Sequence, residues 1–373
     1  MANRADGRVL PEWAQHDACW LAYPHLEAEW GAAFEGARAD IAALCRAIAT
    51  HGGERVELLV RDAGTEAHAR AAVGPLDRGE VRFHRTPYGD CWTRDTAPLF
   101  ALRESRIEAR CFRFNGWGGR YEMPGDTEVA GFIAGHAQRG GATGMAAHAI
   151  RRFDFVLEGG AIEVDGEGTV LTTEQCLLNP NRGAPASREA VEARLREALG
   201  VERVCWLRQG LRNDHTDGHV DTIARFVGPG VVACMAPADG DDPNAATLDA
   251  IAADLASMRD AAGRRLEVHR IPSPGLVLDA QGAPLPASYA NFYVANDAVV
   301  VPAYGVPADA EAVRALARLC PSRAVVPSPA RALISGGGAL HCATMQQPAA
   351  PRGDAEHAEA GAGSAAVAER RRR

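Results

Sequence analysis

Cys342 follows Gly336-Gly337-Gly338-Ala339-Leu340-His341 and precedes Ala343-Thr344-Met345-Gln346-Gln347-Pro348. An ionised thiol is a strong nucleophile, and a glycine run lets the backbone bend and approach a ligand closely. That setting marks Cys342 as a nucleophile, whereas Cys45, inside an apolar stretch, reads as a structural thiol. A partner is offered by Thr216-Asp217-Gly218-His219-Val220-Asp221. In an extended segment residues i and i+2 share a face, so His219 and Asp221 would point the same way. Alone, the segment could equally be a metal half-site or a solvated turn; beside a nucleophilic cysteine it reads as acid/base machinery.

Two more clusters combine carboxylates with glycine or tryptophan: Asp90-Cys91-Trp92-Thr93-Arg94-Asp95, and Glu158-Gly159-Gly160 followed by Asp165-Gly166-Glu167-Gly168-Thr169. Either could be a polar loop; together they suggest a site for a cation.

These segments, with Phe114-Asn115-Gly116-Trp117-Gly118-Gly119, fall in an order that resembles the agmatine deiminases, in the family shared with bacterial-type peptidylarginine deiminases. The matches extend from Pro11-Glu12-Trp13 to Pro348. The resemblance implies an α/β pentein fold, a five-bladed α/β propeller of pseudo-fivefold ββαβ modules around a central active site. It assigns guanidinium binding to Asp95 and Asp221, and a supporting carboxylate to Glu158. General acid/base work falls to His219 and attack on the guanidinium carbon to Cys342. No metal and no organic cofactor are implied. The product from agmatine would be N-carbamoylputrescine.

Trp92, Asn115, Trp117 and Asp217 are the expected substrate contacts; an indole can stack on a cation, although a tryptophan beside a glycine turn is also an ordinary packing anchor. His341 reads as structural. Ala97, His215, Met345 and Asn181-Arg182-Gly183 depart from the family pattern and leave recognition of the substrate's far end open. The alternatives are deimination of another guanidine, such as free arginine, peptidyl arginine or a modified guanidino metabolite, and a non-catalytic guanidine-binding protein.

Positioning such residues takes regular elements. Amphipathic helical patterns near 38–50, 63–73, 125–140, 187–199, 244–262 and 308–319 alternate with short β-rich runs. Four runs open alike, Arg55-Val56-Glu57-Leu58, Arg203-Val204-Cys205-Trp206, Arg265-Leu266-Glu267-Val268 and Arg323-Ala324-Val325-Val326, a faint internal repeat. Without the family resemblance the alternation would suggest a doubly wound parallel sheet.

The chain has 373 residues, 47% of them hydrophobic, and a formal charge of −8. An acidic balance disfavours nucleic acid and suits a small cationic guanidine. All 40 basic residues are arginine, which excludes Schiff-base, pyridoxal-phosphate and Walker-lysine chemistry. Nine cysteines without CxxC spacing fit a reducing compartment. No apolar run reaches membrane-spanning length and Met1–Arg8 lacks a signal-peptide core, so the expected location is the cytoplasm. The expected organisation is one catalytic domain over 1–348, possible homo-oligomers, and a disordered Ala/Gly/Glu/Arg-rich tail over 349–373.

Overall fold

The computed structural model describes residues 7–104, 106–139, 149–183 and 187–350. The proposed tail therefore lies almost entirely outside the described residues. One pattern recurs five times: two antiparallel strands, a crossover helix, and a third strand parallel to the second. Antiparallel strands close through short turns, whereas a parallel neighbour demands a longer crossover, which the helix supplies.

Leu99–Arg103 and Arg106–Arg113 form one hairpin, and helix Asp126–Arg139 leads to Ala149–Val156. Ile162–Val164, Thr169–Thr173, helix Arg188–Leu199 and Arg203–Leu207 repeat the pattern. So do Ala224–Gly228, Val231–Ala236, helix Ala245–Ser257 and Glu267–Pro272. The next unit is Tyr293–Val294, Ala298–Ala303, helix Asp309–Leu319 and Ala324–Pro329. The remaining one is joined from both chain ends: Met345–Pro348 pairs antiparallel with His16–Ala22, and helix Phe34–His51 returns to the parallel strand Arg55–Val60. Val81–Arg85 and Arg8–Val9 extend two of the five sheets. This is the expected pentein pattern, and five separate small sheets exclude a doubly wound one.

Local chemistry explains the helix limits. Asp62 accepts from the Thr65 amide and Ser187 from the Ala190 amide, each capping the helix that follows, while Gly200 ends Arg188–Leu199 in the left-handed region. Such a cap contributes about 1 kcal/mol. Val191, Leu195, Ala198 and Leu199 make the buried stripe of that helix, at helical spacing. The pattern read over 244–262 ends earlier, at Ser257. There Met258 turns extended, and Asp260 accepts the Arg264 amide at 2.8 Å to close a turn.

Strand His16–Ala22 is an inner strand, flanked by Met345–Pro348 and Arg55–Val60, and Ala18 to Ala22 are all buried instead of alternating. The repeat also fixes the site. Asp95, Glu158, Asp221, Asn291 and Cys342 each stand just ahead of the first strand of a different hairpin, at Leu99, Ile162, Ala224, Tyr293 and Met345.

Candidate active site

Cys342 is held by a tight turn in which Ala343 N donates to Ala339 O at 3.2 Å and Thr344 Oγ1 to Leu340 O at 3.1 Å. A Cβ on Gly338 would lie 2.7 Å from the Trp92 ring and 2.9 Å from Cys342 Cβ, so only glycine permits this approach. Asn291 supports the nucleophile twice. Its Oδ1 accepts from the Cys342 amide at 3.3 Å, and its Nδ2 donates to Sγ at 3.2 Å. Burial pushes the thiol well up, and Asp221 and Asp95 push it the same way.

Asp221 and His219 come from the turn around Gly218, whose φ of +84° follows Asp217 at +64°. Asp221 lies 3.6 Å from Cys342 Sγ through Oδ2, which also meets His341 Nδ1 at 2.7 Å. Its Oδ1 is buried and has no hydrogen-bond partner among the described residues. Burial opposes ionisation of Asp221, but His341 above all holds the carboxyl below its usual range. His219 Nδ1 lies 3.8 Å from Asp95 Oδ1, and neither ring nitrogen meets hydrogen-bond geometry with a described partner. Burial alone would lower this imidazole. Asp95, the Cys176 thiol and Glu158 outweigh it and raise His219 well above its ordinary value, favouring the imidazolium.

Asp95 sits in the short helix Thr93–Thr96, tied to the cysteine turn by Thr93 Oγ1 on Ala343 O at 2.9 Å and Arg94 N on Cys342 O at 3.1 Å. Its Oδ1 accepts from Gly160 N at 2.9 Å and its Oδ2 from Trp117 Nε1 at 2.8 Å. Burial raises this carboxyl, and His219 offsets part of the rise. Glu158 accepts from Arg182 Nε at 2.8 Å through Oε1, while Oε2 is buried without a described partner. Arg182 also bonds Asp217 and donates to Thr216 O at 2.8 Å.

A cavity of about 240 Å³ reaches this cluster, with Cys342 and Asp95 in its wall and Trp92 and Trp117 beside them. Glu29, Asp90 and His215 also line it, and among the described residues no arginine does. Asn115 and Asp217, expected to touch substrate, are occupied elsewhere. Asn115 accepts the Gly118 amide and donates to Asn181 O, which holds the turn bearing Trp117; Asp217 is bonded by Arg120, Arg182 and Asn181. Arg94 and Arg120 are likewise engaged, on Glu12 and on Asp217. Sequence reasoning missed Asn291, which carries no local mark of chemistry, and treated Arg182 only as a departure. Their signals are, respectively, the place ahead of a repeated hairpin and an arginine beside a proline turn.

Among the described residues two groups have metal-ligand types within 4.8 Å of one another: Glu158, Cys176 and His219, and, away from the cavity, Glu57, His84 and His136. In the first, Arg182 already holds one Glu158 oxygen and His219 favours its protonated form, which cannot ligate. In the second, His84 Nε2 is 2.5 Å from Glu57 Oε2 and Arg55 donates to Oε1, so both Glu57 oxygens are already engaged.

The family model described as Porphyromonas-type peptidyl-arginine deiminase matches residues 8–348. An agmatine deiminase of Stutzerimonas stutzeri is 40% identical over 93% of this chain and 97% of its own, and one of Pseudomonas aeruginosa 38% over the same shares. Among solved structures, the agmatine deiminase of Enterococcus faecalis superposes with a TM-score of 0.84 at 30% identity, covering 92% of this chain and 96% of that one. The putative arginine deiminase of Porphyromonas gingivalis gives 0.80 at 33% identity, over 91% and 98%. This chain belongs to the Porphyromonas-type peptidyl-arginine deiminase family.

Proposed function

We infer that the chain is an agmatine deiminase, a hydrolase that converts agmatine and water to N-carbamoylputrescine and ammonia. The observation that carries this is the cavity itself: the Cys342 thiol and the Asp95 carboxyl share its lining with the acidic side chains Glu29 and Asp90, and among the described residues no arginine lines it. Arginine as substrate would bring an α-carboxylate, which calls for a cationic partner, whereas agmatine brings a second cation.

In the mechanism we propose, Asp95 and Asp221 hold the planar guanidinium by charge-assisted hydrogen bonds. Glu158 supports the cation and His219. As the cation binds, the Cys342 proton passes to solvent and the thiolate attacks the central carbon, forming the C–S bond of a tetrahedral adduct. His219 protonates the departing nitrogen, the C–N bond breaks, and ammonia leaves an S-alkylthiouronium on Cys342. His219 then takes a proton from water, which adds to the same carbon. The C–S bond breaks and the hydroxyl proton passes to the departing sulfur, restoring the Cys342 thiol and releasing the neutral ureido product. Trp92 and Trp117 wall the cation.

We assign catalysis to one unit over 1–348. Among the described residues no helix is long and apolar enough to cross a membrane. All nine cysteines are unpaired, including the proposed nucleophile, and the reducing cytoplasm is the compartment we propose.

The test is ammonia release from a guanidine panel. Agmatine should exceed free arginine by at least about tenfold in kcat/KM, the scale of one unpaired buried charge. Equal turnover of arginine would overturn the substrate assignment and leave deimination standing.

A further inference from the structure

The cavity has a buried end and an open end, and the glycine run shows which is which. Gly338 is buried beside Cys342, Gly337 is half-buried, and Gly336 and Ser335 are exposed; all four line the cavity. At the open end a Cβ on Gly336 would lie 2.6 Å from the Trp30 ring and 3.0 Å from the Trp92 ring. The two indoles stand 5.8 Å apart, centroid to centroid, at 32°. Trp30, itself buried, thus anchors the short helix Glu27–Trp30 at the mouth. Glu29, its exposed neighbour in that helix, lines the cavity there.

A guanidinium held beside Cys342 sends the rest of its molecule toward this opening. A second cation on the arm, set against indole walls, calls for an anion of its own. Three carboxyl groups line the cavity among the described residues: Glu29, Asp90 and Asp95. Asp95 is committed to the guanidinium. Asp90 serves its own turn, its Oδ1 accepting from the Cys91 amide at 2.7 Å and its Oδ2 from Trp92 Nε1 at 2.8 Å, and burial raises its carboxyl. His215 stacks on Tyr121 at 6.0 Å between centroids, and an imidazole supplies no negative charge. The Glu29 side chain alone of these acids has no hydrogen-bond or ion-pair partner among the described residues.

We propose that Glu29 selects the far end of the substrate: its carboxylate receives the terminal ammonium of agmatine at the mouth of the cavity, with the methylene arm lying along Trp30 and Trp92. The proposal rests on the agmatine reading and deepens it. It also gives the departure at His215 a counterpart, because the negative charge comes from the helix Glu27–Trp30 and not from the segment ahead of Asp217. An exposed ion pair adds little affinity, so the role of Glu29 is discrimination. It favours a cationic arm, ignores a neutral one and repels an acidic one.

Steady-state kinetics of the full chain with three guanidines test this. Agmatine, butylguanidine and 4-guanidinobutyrate carry four-carbon arms that end in an ammonium, a methyl and a carboxylate. Ratios of kcat/KM between them cancel the fraction of active protein, and the exposed position of Glu29 lets its variants fold. The wild-type chain should favour agmatine over butylguanidine. Glu29→Gln should lower that ratio by about fivefold, the upper end of what an exposed ion pair contributes, with the change in KM and not in kcat. Glu29→Arg turns the attraction into a repulsion; it should lower the ratio by about twentyfold and raise 4-guanidinobutyrate relative to butylguanidine. Ratios within about twofold of wild type in both variants would overturn the proposal, even if all substrates slowed together, since a packing role scales them alike. A wild-type preference for agmatine would then leave the agmatine reading standing. A wild-type chain that turns over butylguanidine as well as agmatine would overturn that reading and the proposal with it.

Discussion

Sγ of Cys342 lies 3.6 Å from Oδ2 of Asp221, so the proposed nucleophile and one proposed anchor stand side by side. At about 4 Å two like charges repel by roughly 4 kcal/mol in a partly screened protein environment. The free enzyme therefore favours a neutral thiol, and a guanidinium seated between Asp95 and Asp221 removes the obstacle to ionisation. The substrate thereby helps to create its own nucleophile.

The pH dependence of thiol alkylation reads this directly. Burial first, then Asp221 and Asp95, raise the Cys342 thiol, so iodoacetamide should label the free enzyme faster as pH rises through and above the ordinary thiol range. Asp221→Asn deletes an anion beside the thiolate and should move the profile to lower pH by about one unit or more. Mass analysis of the Cys342 peptide gives the rates. An unchanged or upward-shifted profile would remove Asp221 from the electrostatics of the thiol.

Turnover should disappear in Cys342→Ala while the fold is retained, and acid-quenched wild-type enzyme should carry substrate-derived mass on the Cys342 peptide. Asp95→Asn and Glu158→Gln preserve size and delete charge. Each should lower kcat/KM by roughly a hundredfold or more, about 3 kcal/mol of transition-state stabilisation. Near-normal kinetics in either variant would take that residue out of the site.

Cys342, His219, Asp221, Asp95 and Glu158 were legible because each sits in a short segment whose glycines and neighbours betray a constrained loop. Asn291 was not, because its chemistry depends on a thiol 51 positions away in the chain. Arg182 was passed over since its role exists only where Glu158, Asp217 and Thr216 converge on it. Asp217 and Asn115 were given to the substrate by their motifs, yet geometry turns both toward the turns they stabilise. The internal repeat was real in a specific sense. The runs at Arg55, Arg203, Arg265 and Arg323 lead into the third strand of four modules, whereas the third strand at Ala149–Val156 opens differently and escaped notice. The union of the first and last strands, Met345–Pro348 on His16–Ala22, is a long-range pairing that no local pattern announces.

Arg182 is a buried cation serving Glu158 and Asp217; its removal leaves buried Glu158 without its ion-paired partner, while Asp217 keeps Arg120. Breaking such a buried pair costs about 3–5 kcal/mol. Arg182→Met should therefore lower Tm by roughly 4–6 °C in a chain of this size and reduce kcat/KM by at least about tenfold. Arg182→Lys should recover little, since lysine lacks the planar fork that bonds both acids. Scanning calorimetry and steady-state kinetics check both; a wild-type Tm in the methionine variant would show that Glu158 does not depend on Arg182.

Activity should survive prolonged chelation. The Glu158, Cys176 and His219 group has ligand types, but the arginine on Glu158 and the protonated imidazole suit a cationic substrate better than a second cation. Loss of ammonia release after chelation, restored by zinc or manganese, would move the mechanism to metal-assisted hydrolysis.

Gly160 provides the sharpest steric test of the assembled site. A Cβ there would stand 2.6 Å from His219 Nδ1, 3.0 Å from Asp95 Oδ1 and 3.1 Å from Asp221 Oδ2, three proposed functional groups at once. Its φ is not in the left-handed region, so alanine is acceptable to the backbone and the conflict is purely one of space. The side chains, rather than the main chain, would have to give. Displacing catalytic groups by about 1 Å can cost a hundredfold in rate. Gly160→Ala should accordingly lower kcat/KM by about a hundredfold or more while changing Tm much less than Arg182→Met does. Full activity in this variant would show that His219, Asp95 and Asp221 do not act from the positions described.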